Sequence, residues 1–510
     1  MRHFFEWLAG EGSVAERPWL ILGKGPSFSE RDRHDLTGYR TLALNHVVRE
    51  GPVDVAHAID LDVVMAAGEA IDRHARVLVM PWIPHVKNQA GTRDLASWTA
   101  EVPALSRLDA EGRLLWYDLS TTRVHRGGHP IVQARYFSAE AALSLLALGG
   151  VRRVRSLGVD GGASYSAAFD DLKDVTRLNN KHSTYDLQFQ GLARTIMTTG
   201  VDYAPLNVPS PAKVFVGSEP AQLLAVRVLE YSIRKSASLT VEVKPLYEAE
   251  IDAPAPRDPA NRPRTPFSFQ RFVIPRLCGF EGRAIYVDSD MQVFRDIREL
   301  WTIPFDGADL LAAREPGETG RRPQFSVMLL DCAALRWDLR EIVAGLDAGR
   351  FTYETLMYEM KAARSIRAAI PPEWNSLERF EEGATRLLHY TDMPKQPWLS
   401  LINPLAHLWV RDLIEAVGAG AIPRGLVAEE VARGHVRPSL LYQIDRGVAE
   451  CDLVPKRVRD EDAAFVPPHE AAGLGGGRRG PIRILRAAFR HLYRGSALSR
   501  IEARLRGPRV

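Results

Sequence analysis

The sequence predicts two consecutive α/β domains followed by a basic amphipathic helix. Three observations carry this expectation. Strand-like apolar runs alternate with helical stretches from the N-terminus, a proline-rich break spans Pro205 to Pro211, and the alternation restarts at Lys213. At 510 residues the chain is long for one hydrophobic core, so two or three domains are expected.

The first domain, 1–205, is read from Trp19-Leu20-Ile21-Leu22, Thr41-Leu42-Ala43-Leu44, Arg76-Val77-Leu78-Val79-Met80 and Val154-Arg155-Ser156-Leu157-Gly158-Val159. Apolar runs of this length, separated by helical stretches, fit a mainly parallel sheet covered on both faces. The second domain, 211–452, opens with Lys213-Val214-Phe215-Val216-Gly217 and a helix that places Leu224, Val228, Leu229 and Ile233 on one face. Residues 453–510 read as linker and tail: Asp460-Glu461-Asp462 and Pro467-Pro468 lead into Gly475-Gly476-Gly477, a hinge by composition. Ile482, Leu485, Phe489 and Leu492 then share one helical face, with Arg483, Arg486, Arg490 and Arg494 on the others.

Composition narrows the function classes. The chain is 45% hydrophobic and 25% charged, as ordinary globular proteins are. Its net charge of +3 is uneven, because residues 471–510 hold ten arginines against Glu502, which leaves the remainder acidic. No basic stripe interleaved with aromatics marks the globular part, so nucleic acid is not an expected partner. No apolar run is long enough to cross a bilayer, and Met1 to Leu20 lacks the pattern of a secretion signal. Three cysteines without metal-like spacing, Cys278, Cys332 and Cys451, fit a reducing compartment, so a cytoplasmic location is expected. The arginine-rich tail could bring the protein to an anionic membrane surface, peripherally on the inner face of the plasma membrane. It could equally pack on the protein.

Three Asp-x-Asp triplets occur: Asp60-Leu61-Asp62, Asp288-Ser289-Asp290 and Asp460-Glu461-Asp462. The second follows the strand pattern Arg283-Ala284-Ile285-Tyr286-Val287, at the edge where open α/β sheets bind ligands. Two carboxylates one residue apart at a strand end can share a divalent cation. Such an ion suits the transfer of a sugar from a nucleoside diphosphate, in which negative charge builds on the departing diphosphate.

Four segments follow in order: Val214-Phe215-Val216-Gly217-Ser218-Glu219, Phe267-Ser268-Phe269-Gln270-Arg271-Phe272, Tyr286-Val287-Asp288-Ser289-Asp290, and His389-Tyr390-Thr391-Asp392-Met393-Pro394-Lys395-Gln396-Pro397-Trp398. With them, residues 213 to about 400 resemble the family 8 glycosyltransferases, retaining enzymes with a nucleotide-binding GT-A fold. The resemblance implies Asp288, Asp290 and His389 as ligands of Mn²⁺ or Mg²⁺. It implies Ser218, Glu219, Arg271, Ser289 and Lys395 on the nucleotide donor, with Lys395 at the diphosphate, and Gln324 with Ser326 near the sugar. Glu354 is the nearest counterpart of the acid-amide pair that flanks the sugar, and Asn375 is a further candidate for the catalytic site. Gln396 interrupts the family's Lys-Pro-Trp, and Gln324-Phe325-Ser326 replaces its Asn-Ala-Gly. The implied reaction moves a hexose-type sugar from UDP to a glycan or lipid-linked acceptor, in cell-surface polysaccharide or lipopolysaccharide synthesis.

In the first domain, Leu22-Gly23-Lys24-Gly25-Pro26-Ser27 places a strand before a glycine-rich turn with a serine at the helix entry, where Gly23, Gly25 and Ser27 could hold a phosphate. With Leu42-Ala43-Leu44-Asn45 and Gly158-Val159-Asp160 it resembles the family 42 sialyltransferases and related pterin diphosphokinases, with Lys24 in place of the usual asparagine. This implies a Rossmann-like nucleotide-binding domain. A bifunctional enzyme using a CMP-sugar, or a diphosphokinase first domain, is one alternative, and a noncatalytic nucleotide-sugar-binding scaffold is another.

Overall fold

The computed structural model describes residues 1–12, 17–178, 181–251, 254–265, 267–313 and 325–471. Gln324 and the amphipathic segment Ile482 to Leu505 therefore lie outside the described residues.

The first unit contains β1 (Arg2–His3), β2 (Trp19–Leu22), β3 (Arg40–Leu44), β4 (Val53–His57), β5 (Ala75–Pro81), the short hairpin β6 (His85–Val86) and β7 (Gln89–Ala90), β8 (Leu114–Tyr117), β9 (Arg153–Leu157) and β10 (Asp202–Pro205). Eight of these form one parallel sheet in the order β1-β8-β5-β4-β3-β2-β9-β10. Successive side chains of a strand point to opposite faces, and both faces here are covered. Trp19, Ile21, Val77 and Val79 pack against the helices Ser138–Leu148 and Gln188–Thr199. Leu20, Leu22, Leu78 and Met80 pack against Leu61–His74 and Pro103–Ala110. The chain runs outward from β2 to β8 and then returns to the other side of β2 as β9. The switch point of the sheet is thus the crevice beyond the ends of β2 and β9, the usual ligand position of such sheets.

The second unit adds β11 (Ala212–Gly217), β12 (Val241–Pro245), β13 (Arg283–Asp288), β14 (Met291–Val293), β15 (Leu310–Ala313), β16 (Val327–Asp331), β17 (Ile366–Ile370), β18 (Ser376–Leu377) and β19 (Leu387–His389). A six-stranded sheet runs β12-β11-β13-β16-β15-β17, parallel from β12 to β13 and antiparallel on both sides of β16. A smaller sheet, β14-β19-β18, stands beside it. The predicted apolar helix face is realised in Leu223–Arg234, where Leu224, Val228, Leu229 and Ile233 are fully buried. That helix is shared: Leu229 and Ile233 face the sheet, while Leu224 and Val228 face a cluster built by Ala406–Gly418, Arg424–Ala432 and Ser439–Arg446.

The two units are stitched at Thr240, whose N–H donates to the Tyr203 carbonyl at 2.8 Å and whose Oγ1 accepts from Tyr203 N–H at 2.8 Å. Trp301 adds an indole bond to the Pro209 carbonyl at 2.7 Å. The acidic run Asp460-Glu461-Asp462, expected as part of the linker that leads to the glycine hinge, is the end of a helix, Lys456–Asp462. It is docked because Asp462 accepts hydrogen bonds from Ser439 N–H (2.9 Å) and Oγ (2.6 Å) while Val458 is buried. Among the described residues, no helix is long and apolar enough to cross a membrane.

Candidate functional site

Asp288 ends β13, and Asp290 lies just before β14. β14 pairs antiparallel with β19 so that Met291 faces His389, and Tyr390 N–H donates to the Asp290 carbonyl at 2.8 Å. This pairing brings a histidine from a distant part of the chain to the acids. Ligand-capable atoms of Asp288, Asp290 and His389 all lie within 4.8 Å of one another, and no other such group occurs among the described residues.

The separations fit a cation. Two ligand atoms at ~2.1 Å from one ion, at about a right angle, stand ~3 Å apart. His389 Nε2 is 3.1 Å from Asp290 Oδ1. Apart from that contact, Asp290 Oδ1, which is buried, has no hydrogen-bond partner, and its remaining lone pairs are open to a third partner. The other ring nitrogen, Nδ1, meets Asn375 Oδ1 at 3.0 Å, so the imidazole donates there and can turn Nε2 inward as a ligand. Asn375, expected as a candidate for the catalytic site, stands behind the histidine as its orienting group.

Electrostatics points the same way. Burial pushes the Asp288 carboxyl up, the Arg271 guanidinium pulls it down, and the neighbouring Asp290 adds to the rise; the net direction is up. Burial opposes the charged form of His389, yet Asp290 and then Asp288 outweigh it and hold the imidazole above its ordinary value. The rise at Asp288 is set first by burial, whereas the rise at His389 reflects the two carboxylates beside it, a negative charge that a bound cation would also meet.

Around this trio the expected donor residues divide. Arg271 is buried, donates to the Phe325 carbonyl at 3.1 Å, lies 4.5 Å over the Tyr286 ring and comes within 3.8 Å of Asp288. It therefore belongs to the acid cluster. Ser289 is buried and donates its N–H to the Gly217 carbonyl at 3.1 Å. The Ser218 hydroxyl is fully buried and turns back to the Val216 carbonyl at 3.2 Å. Glu219 begins the next turn, with its N–H on Gln222, and burial raises its carboxyl. Lys395 is half exposed and pairs with Asp392 at 2.6 Å. Ser326 is buried just before β16. Glu354 is exposed on the first turn of Tyr353–Glu359 and pairs with Arg264 at 3.0 Å.

Two residues absent from the sequence expectations complete the cluster. Tyr286, which reads as a core residue of an apolar strand, donates its hydroxyl to Asp288 Oδ1 at 2.6 Å. Gln396 donates Nε2 to Asp290 Oδ2 at 3.0 Å and to the Tyr390 carbonyl at 3.1 Å. A tyrosine two residues before the acid, and a glutamine breaking the Lys-Pro-Trp run, were the only signals in the sequence.

In the first unit the Gly23 to Ser27 turn lies at the switch point, but its amides are committed. Gly23 and Gly25 donate to the Leu157 and Gly158 carbonyls, each at 2.8 Å, and Ser27 N–H and Oγ donate to Asp160 at 2.8 and 2.6 Å. These amides do not offer the phosphate cradle that the sequence implied. The glycines serve close approach instead: a Cβ at Gly23 would lie 2.2 Å from the Gly158 oxygen. Beside the turn opens a cavity of about 870 Å³ lined by Lys24, His46 and Arg49 among others. Burial and the nearby Arg49 hold the Lys24 amine down at about 8. His46 is pulled down to about 4 by burial first and by Lys24 next, and its buried Nδ1 has no hydrogen-bond partner. Asp60 and Asp62 accept from the Asn88 and Lys87 amides at 2.8 and 2.5 Å, so that triplet secures the β6–β7 hairpin.

The chain matches no model of a known protein family. Protein CDI of Arabidopsis thaliana is 27% identical over 231 residues, which are 40% of this chain and 87% of that protein. Among solved structures, the chain is similar to the glycosyltransferase GlyE of Streptococcus pneumoniae TIGR4, with 16% identity and a TM-score of 0.30, over 40% of this chain and 60% of GlyE. It is also similar to the bifunctional glycosyltransferase WbbM, with 10% identity and a TM-score of 0.29, over 78% of this chain and 97% of that one.

Proposed function

We propose that the second unit is a divalent-metal-dependent glycosyltransferase centred on Asp288, Asp290 and His389. The observation that carries this reading is the meeting of three ligand-capable side chains, within 4.8 Å, from two segments that the resemblance singles out. Mn²⁺ or Mg²⁺ held there supplies positive charge to the departing diphosphate. The chain's own residues do the rest. Asp288, Asp290 and His389 hold the ion, Asn375 fixes the ring of His389, and Arg271 with the Tyr286 hydroxyl fixes Asp288. Lys395, on the exposed turn after β19 and paired with Asp392, is the cation that this reading assigns to the diphosphate. The donor is a UDP-sugar of the hexose type, the acceptor a glycan or lipid-linked sugar, and configuration is retained, as in the family the motifs resemble. No residue of the cluster is a covalent nucleophile, so a same-face mechanism in which the leaving phosphate helps deprotonate the acceptor is preferred. The arginine-rich tail would bring the enzyme to an anionic membrane surface bearing that acceptor.

A thermal-shift series with UDP, UDP-sugars and CMP, each with and without Mn²⁺, tests this reading, since a ligand of the native state raises the unfolding temperature with occupancy. UDP compounds are expected to shift the transition only when Mn²⁺ is present. An equal shift in EDTA counts against the cation site.

A second reading concerns the first unit. The cavity at its switch point, with Lys24, Arg49 and the unpartnered Nδ1 of His46, favours a separate anionic ligand such as a nucleotide phosphate. Lys24→Ala is then expected to weaken CMP or phosphate binding by about 1.5–3 kcal/mol, the usual worth of a hydrogen bond to a charged group. The UDP response of the same variant should match wild type, and a loss of both responses would argue against two sites.

A further inference from the structure

Gln396 stands where the Lys-Pro-Trp run is broken, and the structure gives the intruding residue a position that a surface loop does not explain. It is 3% exposed, and its amide nitrogen meets two acceptors, Asp290 Oδ2 at 3.0 Å and the Tyr390 carbonyl at 3.1 Å. Both partners can only accept, so the NH₂ end must face them, and both of its hydrogens are used. Its backbone is held as firmly. Leu399 and Ser400 N–H donate to the Gln396 carbonyl, and the next two residues are tied down by the buried Arg437, which donates Nε to the Pro397 carbonyl at 2.8 Å and N–H to the Trp398 carbonyl at 2.9 Å. The amide therefore projects from a rigid anchor onto one oxygen of Asp290. The opposite oxygen, Oδ1, is buried and has no hydrogen-bond partner besides the His389 Nε2 contact at 3.1 Å.

We propose, on the reading of the trio as a cation site, that Gln396 is its positioning residue: by holding Asp290 through Oδ2 it presents Oδ1 to the ion beside His389. Asn375 does the corresponding work on His389 through Nδ1. A neutral donor is suited to this task. It orients the carboxylate without neutralising it, whereas a lysine at the same place would compete with the cation for the charge.

The test is a Mn²⁺ titration of the full chain, with free ion followed by electron paramagnetic resonance, for wild type, Gln396→Met and Asp290→Asn. Gln396→Met keeps the volume and removes both donors, and Mn²⁺ binding is expected to weaken about 10–100-fold, the usual cost of losing a group that orients a metal ligand. UDP release by the same variant should need correspondingly more Mn²⁺ for half its rate and regain nearly wild-type turnover at saturating ion. A general loss of structure would not produce that split. Gln396→Ala carries the same expectation if the methionine variant does not fold. Mn²⁺ affinity within about twofold of wild type in a folded variant overturns the proposal alone. A wild type that binds no Mn²⁺ removes the cation site, and this inference with it.

Discussion

Asp288→Asn combined with Asp290→Asn is expected to abolish Mn²⁺-dependent UDP release while leaving the fold intact. The pair supplies both anionic ligands of the trio, and one histidine cannot retain the ion. A drop of at least about a thousandfold follows, since charge stabilisation of the leaving group is the largest single contribution to such chemistry. Stability should change little. Because burial raises the Asp288 carboxyl in the folded state, its ionised form is penalised there, and that penalty grows as pH rises through the ordinary carboxylate range. Asparagine removes it and still accepts the Tyr286 hydroxyl, but the variant also loses the carboxylates that hold the His389 imidazole up and face Arg271. These effects oppose each other, so in EDTA at neutral pH the double variant should unfold near the wild-type temperature, read by calorimetry. A variant that loses activity and also unfolds early would show that the acids serve the fold.

Gly217→Ala is expected to damage the same site from behind. Gly217 ends β11 beside β13, and a Cβ there would lie 2.2 Å from the Tyr286 hydroxyl and 2.9–3.0 Å from its ring carbons. The ring has little freedom to yield, being fully buried with Arg271 stacked 4.5 Å above it. Overpacking of this kind costs about 1–3 kcal/mol. Here it would also push the hydroxyl off Asp288 Oδ1, so Mn²⁺ binding should weaken together with stability. Tyr286→Phe removes the closest atom of the clash, and the double variant should recover part of the stability lost by Gly217→Ala. Denaturant unfolding of the four proteins measures this coupling. Strict additivity would place the damage elsewhere.

The strands were legible where burial on both faces makes a continuous apolar run. Trp19–Leu22 has the limits read from the sequence, and Arg283–Asp288 extends the predicted run by one residue, into the first acid. The acidic triplet could be picked from three similar ones because Arg271 and the His389 to Lys395 segment accompany it, and the structure brings Arg271 and His389 to it. What stayed hidden depended on pairing across the chain. Tyr286 and Gln396 act through single polar atoms whose partners are set by strand register and by the Arg437 anchor, which no local pattern encodes. The Gly23 to Ser27 turn misled for a related reason. Its glycines read as a phosphate cradle, whereas Leu157 at the end of β9 and Gly158 just after it take their amides. Likewise Asp462, in a segment that reads as linker, is docked by Ser439, 23 residues away on another helix.

The central claim is that Asp288, Asp290 and His389 form a cation site that serves transfer from a nucleotide sugar. UDP release by the full chain from a panel of UDP-sugars, with Mn²⁺ and then with EDTA, measures this most directly. Release that requires the ion and disappears in the double aspartate variant is the predicted result. Absence of release from every donor, or release that persists in EDTA, would contradict it, the former leaving a binding scaffold as the reading of this fold.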